Sequence, residues 1–411
     1  MDSEPVEELA SPMMIRSPLS PPKSLECAGI TTQDTPVDGV AHGDSSLVRQ
    51  QLPQTLPLWR LPPVNEEETH EIAREAVWRP LYPFFKQRGY TFWKYYAGSM
   101  LYPDVEENTD DLPPSPYGFA YATRHGGLNS DFGSLDQLTE FMYMNPLCRA
   151  ARTADGRDVV VRVLAIGERG QEHVDILRLV SQGPHAFYED NHAIPLVDFF
   201  SFEDVTFGVF PKIGFRVEEM YNYWAQNSVG DIVDIILQCL EALAFIHSLS
   251  IAHRDAFKDN FLVQWYPESL KAGRVARSRP RVFLGDFEVA VMFPHTTPLD
   301  ECLVVGYPTG GSYPEDTKLY ARPVPPEVAS GQPYDPFKLD VWQFGTSLDD
   351  FKSTIPEIDG ILDGLRLPDP GSRLSSFYAL EYLSRALSDL APKALMIPPD
   401  TIPLFSASDL C

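Results

Sequence analysis

Ile232, Ile235, Ile236, Cys239, Leu240, Leu243 and Ile246 recur at intervals of three and four, the spacing of a helix with a wide buried stripe. Upstream the period changes. Val159-Val160-Val161-Arg162-Val163-Leu164 is a β-branched run that follows a turn signal, Ala154-Asp155-Gly156-Arg157, and so predicts one arm of a hairpin. A helix is expected from Glu172, with Val174, Ile176, Leu177 and Val180 apolar, and two further strands over 194–200 and 205–210. Strands followed by helices predict an α+β protein, a small antiparallel sheet ahead of a larger helical part.

The N-terminal third reads differently. Residues 1–57 are rich in Pro, Ser, Asp and Glu without a sustained apolar period, which predicts a disordered tail, since little apolar surface offsets the chain entropy. Ser11, Ser17 and Ser20 each precede a proline there; a passive tail is preferred to a phosphorylation switch. Between Glu75 and Tyr96 the rings of Trp78, Tyr82, Phe84, Phe85, Tyr90, Phe92, Trp93, Tyr95 and Tyr96 need burial, which a helix and then a strand laid on the later domain would supply. This gives an aromatic extension over 58–134, with an acidic, proline-rich loop at 103–117, then a sheet-bearing part over 135–212, a helical part over 213–398 and a tail from 399 to 411.

Charge and cysteines narrow the classes. With 58 acidic and 33 basic residues the net charge is −25, a field that repels nucleic-acid backbones and anionic lipid. Five scattered cysteines with no CxxC pair argue against a disulfide framework or a zinc site and for a reducing compartment. The acidic N-terminus is unlike a signal peptide, and no run approaches the roughly 20 apolar residues of a membrane span, so an intracellular location, cytoplasmic or nuclear, is expected.

The chemistry lies after the buried helix, in His253-Arg254-Asp255-Ala256-Phe257-Lys258-Asp259-Asn260-Phe261-Leu262-Val263. A carboxylate, an amide five residues on and then an apolar strand suit a loop that orients a hydroxyl while presenting an oxygen to a metal. Leu284-Gly285-Asp286-Phe287-Glu288 follows a second apolar run, and Pro325-Pro326-Glu327, Asp340-Val341-Trp342-Gln343-Phe344-Gly345 and Asp369-Pro370-Gly371-Ser372-Arg373 come later in order. Together these motifs resemble the eukaryotic protein kinases over about residues 135–395. Gly89-Tyr90-Thr91-Phe92-Trp93-Lys94 and Pro333-Tyr334-Asp335-Pro336-Phe337-Lys338 look like the divergent kinase-like proteins of mushroom-forming fungi.

The resemblance implies a two-lobed kinase-like fold, ATP and Mg²⁺ as cofactors and a protein substrate. By it, Asp255 is the catalytic base, Asn260 and Asp286 the Mg²⁺ ligands, and Arg254 the clamp on an activation segment from Val289 to Pro326. The segment's hydroxyls at Thr296, Thr297, Tyr307, Thr309, Ser312 and Tyr313 are candidate phosphorylation sites, though an ordinary exposed loop is the preferred reading. Asp340 would hold the catalytic loop by its backbone, and Glu327 would pair with Arg373.

Several positions depart from the pattern. Arg162 stands where the ATP-gripping lysine belongs, with a planar fork in place of a compact ammonium. The glycine-rich phosphate loop is expected around 140–145, yet no glycine occurs between Gly133 and Gly156. His173 falls in the slot of the glutamate that partners the lysine, and Glu172 sits one residue early, where a small register shift would let it serve as that partner at the cofactor site. Glu288 replaces the glycine after Asp286-Phe287. Phe257 occupies the place of a phosphate-touching lysine, which Lys258 is expected to replace. Three functions follow: an inefficient Ser/Thr-type protein kinase, a pseudokinase serving as a binding or scaffold module, and a small-molecule phosphotransferase of the aminoglycoside-kinase type, disfavoured by the motifs at 325–327 and 340–345.

Overall fold

The computed structural model describes residues 42–62, 70–95, 100–102, 141–142, 146–220, 228–264, 280–313 and 320–401. The serines at 11, 17 and 20, the 103–117 loop and residues 140 and 143–145 of the segment where a phosphate loop is expected lie outside them.

The β-branched run after the 154–157 turn forms the centre of the main sheet. β5 (Cys148–Thr153) and β6 (Asp158–Ile166) make the expected hairpin. β7 (Asp198–Phe202) and β8 (Val205–Pro211) add to the β6 side, and β1 (Tyr90–Phe92) pairs antiparallel with β5 on the other, giving the order β1-β5-β6-β8-β7. The edge strand β1 thus comes from the stretch expected as an extension, so the sheet begins well before residue 135. Between β1 and β5, three short strands, β2 (Lys94–Tyr95), β3 (Met100–Tyr102) and β4 (Phe141–Met142), form a small sheet of their own.

Side chains alternate across the main sheet, so Val159, Val161 and Val163 share one face with Phe207 and Val209 of β8. That face is covered by α1 (His42–Gln51), α2 (Leu56–Arg60), α3 (His70–Trp78) and α4 (Tyr82–Gln87), through an aromatic layer of Trp59, Trp78, Phe85, Phe92 and Phe207. The rings meet edge-on or tilted at centroid distances of 4.6 to 6.2 Å, as their quadrupoles favour. Burying a ring such as Phe85 contributes about 1.5–3 kcal/mol. Both indole N–H groups, of Trp59 and Trp78, donate to the carbonyl of Pro146 at 3.0 and 2.6 Å. Arg149, buried on the same face, is held by Glu75, by the Tyr82 hydroxyl at 2.9 Å and by the Trp93 carbonyl at 2.7 Å.

Within the stretch expected as a disordered tail, His42–Gln51 and Leu56–Arg60 are instead helical. Val48, Leu52 and Leu56 follow one another at intervals of four and reach the aromatic layer with Trp59, and this burial fixes α1 and α2.

The second core lies around α6 (Val229–Ser248), the helix read from its three-and-four spacing, and also takes in Val174, Ile176, Leu177 and Val180 of α5 (Gln171–Ser181). The Ser228 side chain accepts from the Asp231 N–H while Asp231 accepts from the Ser228 N–H, a capping box that ties off the N-terminus of α6. Ser228→Ala is expected to cost about 1 kcal/mol, measurable by urea denaturation. Against α6 pack the strand β12 (Arg281–Leu284) and the helices α8 (Pro336–Ser347) and α10 (Ser376–Asp389). The strand β11 (Phe261–Gln264) pairs between β12 and β9 (Phe215–Arg216), and α9 (Pro356–Leu365) packs on α8 and α10. Short connecting elements are β10 (Ile251–Ala252) and α7 (Pro326–Ala329). A curled five-stranded antiparallel sheet with these helices is compatible with a kinase-like fold.

Candidate active site

Residues 253–260 leave α6 by the short strand Ile251–Ala252 and return as β11, so the loop is pinned at both ends. Buried Asp340 of α8 accepts the backbone N–H of His253 at 2.7 Å and of Arg254 at 2.6 Å, with His247 Nε2 at 2.9 Å from the same carboxylate. Gln343, one turn on, accepts from the Ala256 N–H at 2.9 Å and donates to the Arg254 carbonyl at 2.8 Å. These two side chains satisfy loop groups that no ladder reaches, and they hold Arg254 at φ +64, a left-handed conformation that costs roughly 1–2 kcal/mol for such a residue. Asp286 is likewise left-handed, at φ +58. Two such positions in one site mark a backbone held by its surroundings.

The loop and the Asp286 segment are joined. Gly285 N–H donates to the Asn260 carbonyl at 3.0 Å, and the imidazole of His253 lies 2.8 Å from the Gly285 carbonyl. The Asn260 amide donates to the Asp255 carbonyl at 2.7 Å and to its carboxylate at 2.8 Å, so its own oxygen is the atom left to face a cation. Burial pushes the Asp255 carboxyl up to about 6, helped by the charge of Asp286 and opposed by Arg322. Asp286 goes the other way: burial works against its charge, but Arg162 and other neighbours outweigh it and hold the carboxyl down at about 2. One carboxyl is poised near neutrality while its neighbour stays ionised, a division of labour typical of acid–base sites.

Arg162 projects from β6 onto the sheet face opposite the aromatic layer and donates to Asp286 at 2.6 Å and Glu288 at 2.8 Å. Glu288 therefore supplies the carboxylate that a glutamate of α5 was expected to provide. Glu172 is exposed on α5, whereas His173 is buried, and burial together with Arg162 lowers its imidazole to about 3, keeping it neutral. The expectation for Glu172 is corrected: the α5 register turns it to solvent. The remaining Glu288 contacts are residues that sequence reasoning missed. Arg60 of α2 reaches Glu288 at 3.3 Å and the Ser312 hydroxyl at 2.7 Å, its guanidinium 3.9 Å from the Tyr313 ring centroid, and the Ser312 N–H donates to Glu288. Arg169 donates to the carbonyls of Gly311 at 2.7 Å and Tyr313 at 3.1 Å.

Lys258 departs from expectation too. Its ammonium pairs with Asp350 beyond the end of α8, drawn there because its N–H is anchored on Ser347 at 3.1 Å. The cation beside Asp255 is Arg322, unforeseen from the sequence, with Nε 3.1 Å from Asp255 Oδ1. Arg254 donates to the carbonyls of Tyr307 at 3.0 Å and Val289 at 3.4 Å, tying the activation segment by its backbone. Of the hydroxyls considered there, Ser312 is fully buried. Arg373, wholly buried, donates to Glu327 at 2.7 Å and to the carbonyls of Lys338 and Leu367 at 2.8 and 2.9 Å.

Along β6, Val160 lies two residues before Arg162 on the same face, opposite Ala150 of β5. Ala150 is fully buried beneath Trp93 and Leu101, which belong to the insertion between β1 and β5. Lys212, just past β8, places its ammonium 5.1 Å from the Trp93 ring centroid. The Trp93 indole N–H meets no acceptor among the described residues.

Metal fit follows from the donor set. Among the described residues no three His, Cys, Asp or Glu side chains are arranged to hold a metal by themselves. Asn260 and Asp286 offer an amide and a carboxylate oxygen, which suits a hard cation that completes its shell with phosphate oxygens and water.

No family model matches the chain. It is 32% identical over 108 residues to serine/threonine-protein kinase ppk8 of Schizosaccharomyces pombe, an overlap of 26% of this chain and 17% of that protein. It is 25% identical over 203 residues to the putative ribosomal protein S6 kinase alpha-2 of Caenorhabditis elegans, covering 49% of this chain and 24% of the relative. The chain thus spans about a quarter or less of the curated relatives it matches. No described helix is long and apolar enough to cross a membrane. These distant similarities to Ser/Thr kinases support placing the chain in a protein-kinase-like superfamily.

Proposed function

We propose that the chain is a two-lobed, kinase-like phosphotransferase that moves the γ-phosphate of ATP to Ser or Thr of a protein substrate at a reduced rate. The observation that carries this reading is the grouping of Asp255, Asn260 and Asp286 on one pinned backbone frame, with Arg162 on Asp286. Asp255 orients the acceptor hydroxyl and takes its proton. Arg162 contributes positive charge to the phosphates, though its Nη2 already donates to two carboxylates, which loosens that grip. Asn260 and Asp286 would hold a Mg²⁺ ion, which when bound would supply charge neutralisation at the phosphates.

A second reading, a pseudokinase that serves as a scaffold, is favoured by Trp93. A nucleotide whose phosphates reach Arg162 would lay its base about 7 Å back along the same face, against Val160 and Ala150, and Trp93 covers Ala150. The unpaired indole N–H makes that cover costly by about 1–3 kcal/mol, hence displaceable. Thermal-shift titration with ATP separates the readings. A Mg²⁺-dependent rise in Tm in the wild type, absent in Asp286→Ala, is expected. A shift seen only after Trp93→Ala would favour the pseudokinase, and none in either protein would sink nucleotide binding.

A further inference from the structure

We propose that Arg322, from the segment preceding Pro325-Pro326-Glu327, is a catalytic residue that supplies the cation beside the Asp255 carboxylate, with Phe257 as its platform, an inference that rests on the phosphotransferase reading. The other basic side chains of the loop are engaged elsewhere: Arg254 with the Val289 and Tyr307 carbonyls, and Lys258 with Asp350. Arg322 enters from outside the loop and is fixed on three sides. Its two terminal nitrogens fork the Asp259 carboxylate at 3.0 and 2.9 Å, its Nε lies 3.1 Å from Asp255 Oδ1, and its Cζ lies 4.8 Å from the centroid of the Phe257 ring. A planar, five-donor group makes the Asp259 fork, the close charge contact with Asp255 and the ring contact together, whereas an ammonium could make only one at a time. The side chain is 32% exposed, so it stands at the open edge of the site, where an acceptor would arrive.

The position has a chemical consequence. In the transfer, the acceptor oxygen forms a bond to the γ-phosphorus, its proton passes to Asp255, and the bond from phosphorus to the bridging oxygen breaks with its electron pair leaving on the nucleoside diphosphate. Negative charge spreads over the equatorial oxygens of the moving group, next to the base that Arg322 touches. The guanidinium holds Asp255 in orientation and faces that charge without itself being altered. The aromatic residue at 257 then has a role: its π face seats the cation. Because Arg322 belongs to the segment leading to the Glu327–Arg373 bridge, the site is complete only when that segment is docked.

The test is single-turnover transfer from γ-labelled ATP with Mg²⁺ to dephosphorylated casein, with MgATP affinity followed by thermal shift. Arg322→Ala is expected to slow transfer about 10²-fold while leaving MgATP affinity within about twofold. Arg322→Lys, keeping charge but losing the fork, should fall about tenfold. Adding Phe257→Lys to Arg322→Ala puts an ammonium where the platform was and should recover at least about tenfold, a rescue that a merely structural role would not give. Transfer by Arg322→Ala at the wild-type rate, or no recovery with Phe257→Lys, overturns the proposal while the phosphotransferase reading stands. A wild type that transfers no phosphate overturns both. A double-mutant melting cycle of Arg322→Gln with Asp255→Asn checks the pair without activity: a positive coupling supports it, and strict additivity overturns it.

Discussion

Asp255→Ala is expected to lower phosphate transfer by about 10³-fold, equivalent to about 4 kcal/mol of barrier, while the Mg²⁺-dependent thermal shift with ATP persists. Asp255 is the carboxylate of the loop that burial keeps close to neutrality; Asn260 holds one of its oxygens at 2.8 Å, and the other, buried and without a hydrogen-bond partner among the described residues, lies 3.1 Å from Arg322 Nε. A base with a pKa of about 6 accepts a proton only in its ionised form. Transfer should therefore rise with pH through about 6 and level off above it, since Asp286, held at about 2, stays ionised throughout. The reading would be sunk by an Asp255→Ala protein that keeps the wild-type rate, because no other described carboxylate is bonded to Asn260. A loss confined to KM, with kcat intact, would instead assign Asp255 to uniform binding.

The pairing of Asp255 with Asn260 was legible in the sequence because the two lie five residues apart in one continuous stretch, with the apolar strand directly after them. The Glu327–Arg373 and Asp340–loop contacts join residues far apart in the chain and were readable only through the family resemblance, not from local spacing. The cations were harder. Arg60 and Arg322 reach the site from elements far along the chain, and nothing local distinguishes them from surface arginines. Lys258 looked like a substitute one position late, but a one-residue shift on a pinned loop turns a side chain elsewhere, here to Asp350. Glu172 failed through helical register, since adjacent residues on α5 point about 100° apart and His173 is the one facing inward. In the N-terminal third, the four-residue spacing of Val48, Leu52 and Leu56 was present but sat in a proline- and serine-rich context that argued for disorder. The helix-then-strand order of the aromatic stretch was expected from its rings, but the pairing of β1 into the main sheet was not, because a long insertion separates it from its partner β5.

Glu288→Ala is expected to destabilise the fold by about 3–5 kcal/mol, lowering Tm by roughly 10 °C. Its carboxylate is almost fully buried, at 6% exposure, and it is shared by Arg162 at 2.8 Å, Arg60 at 3.3 Å and the Ser312 N–H. Removing it leaves two poorly hydrated guanidinium groups facing each other with only Asp286 and the Ser312 hydroxyl between them. Uncompensated buried charge, more than the lost pair itself, sets the size of the effect. The segment at 310–313 should loosen with it: Gly311 sits at φ +53 so close that a Cβ would come within 2.5 Å of Glu288 Cγ, so that this stretch is moulded to the carboxylate. Limited proteolysis near 310–313 should accordingly speed up in Glu288→Ala while cleavage elsewhere holds steady. Glu288→Gln, which keeps an acceptor for the Ser312 N–H but loses the charge, should lie between the two, since one neutral oxygen cannot balance Arg60 and Arg162. A Glu288→Ala protein that melts within a degree of wild type would show that the two arginines are solvated rather than dependent on this carboxylate, and that the sheet and the activation segment are joined by some other contact. If the expected loss is found, the glutamate that stands where kinases carry a hinge glycine is what couples the N-terminal helices, through Arg60, to the segment that closes the site.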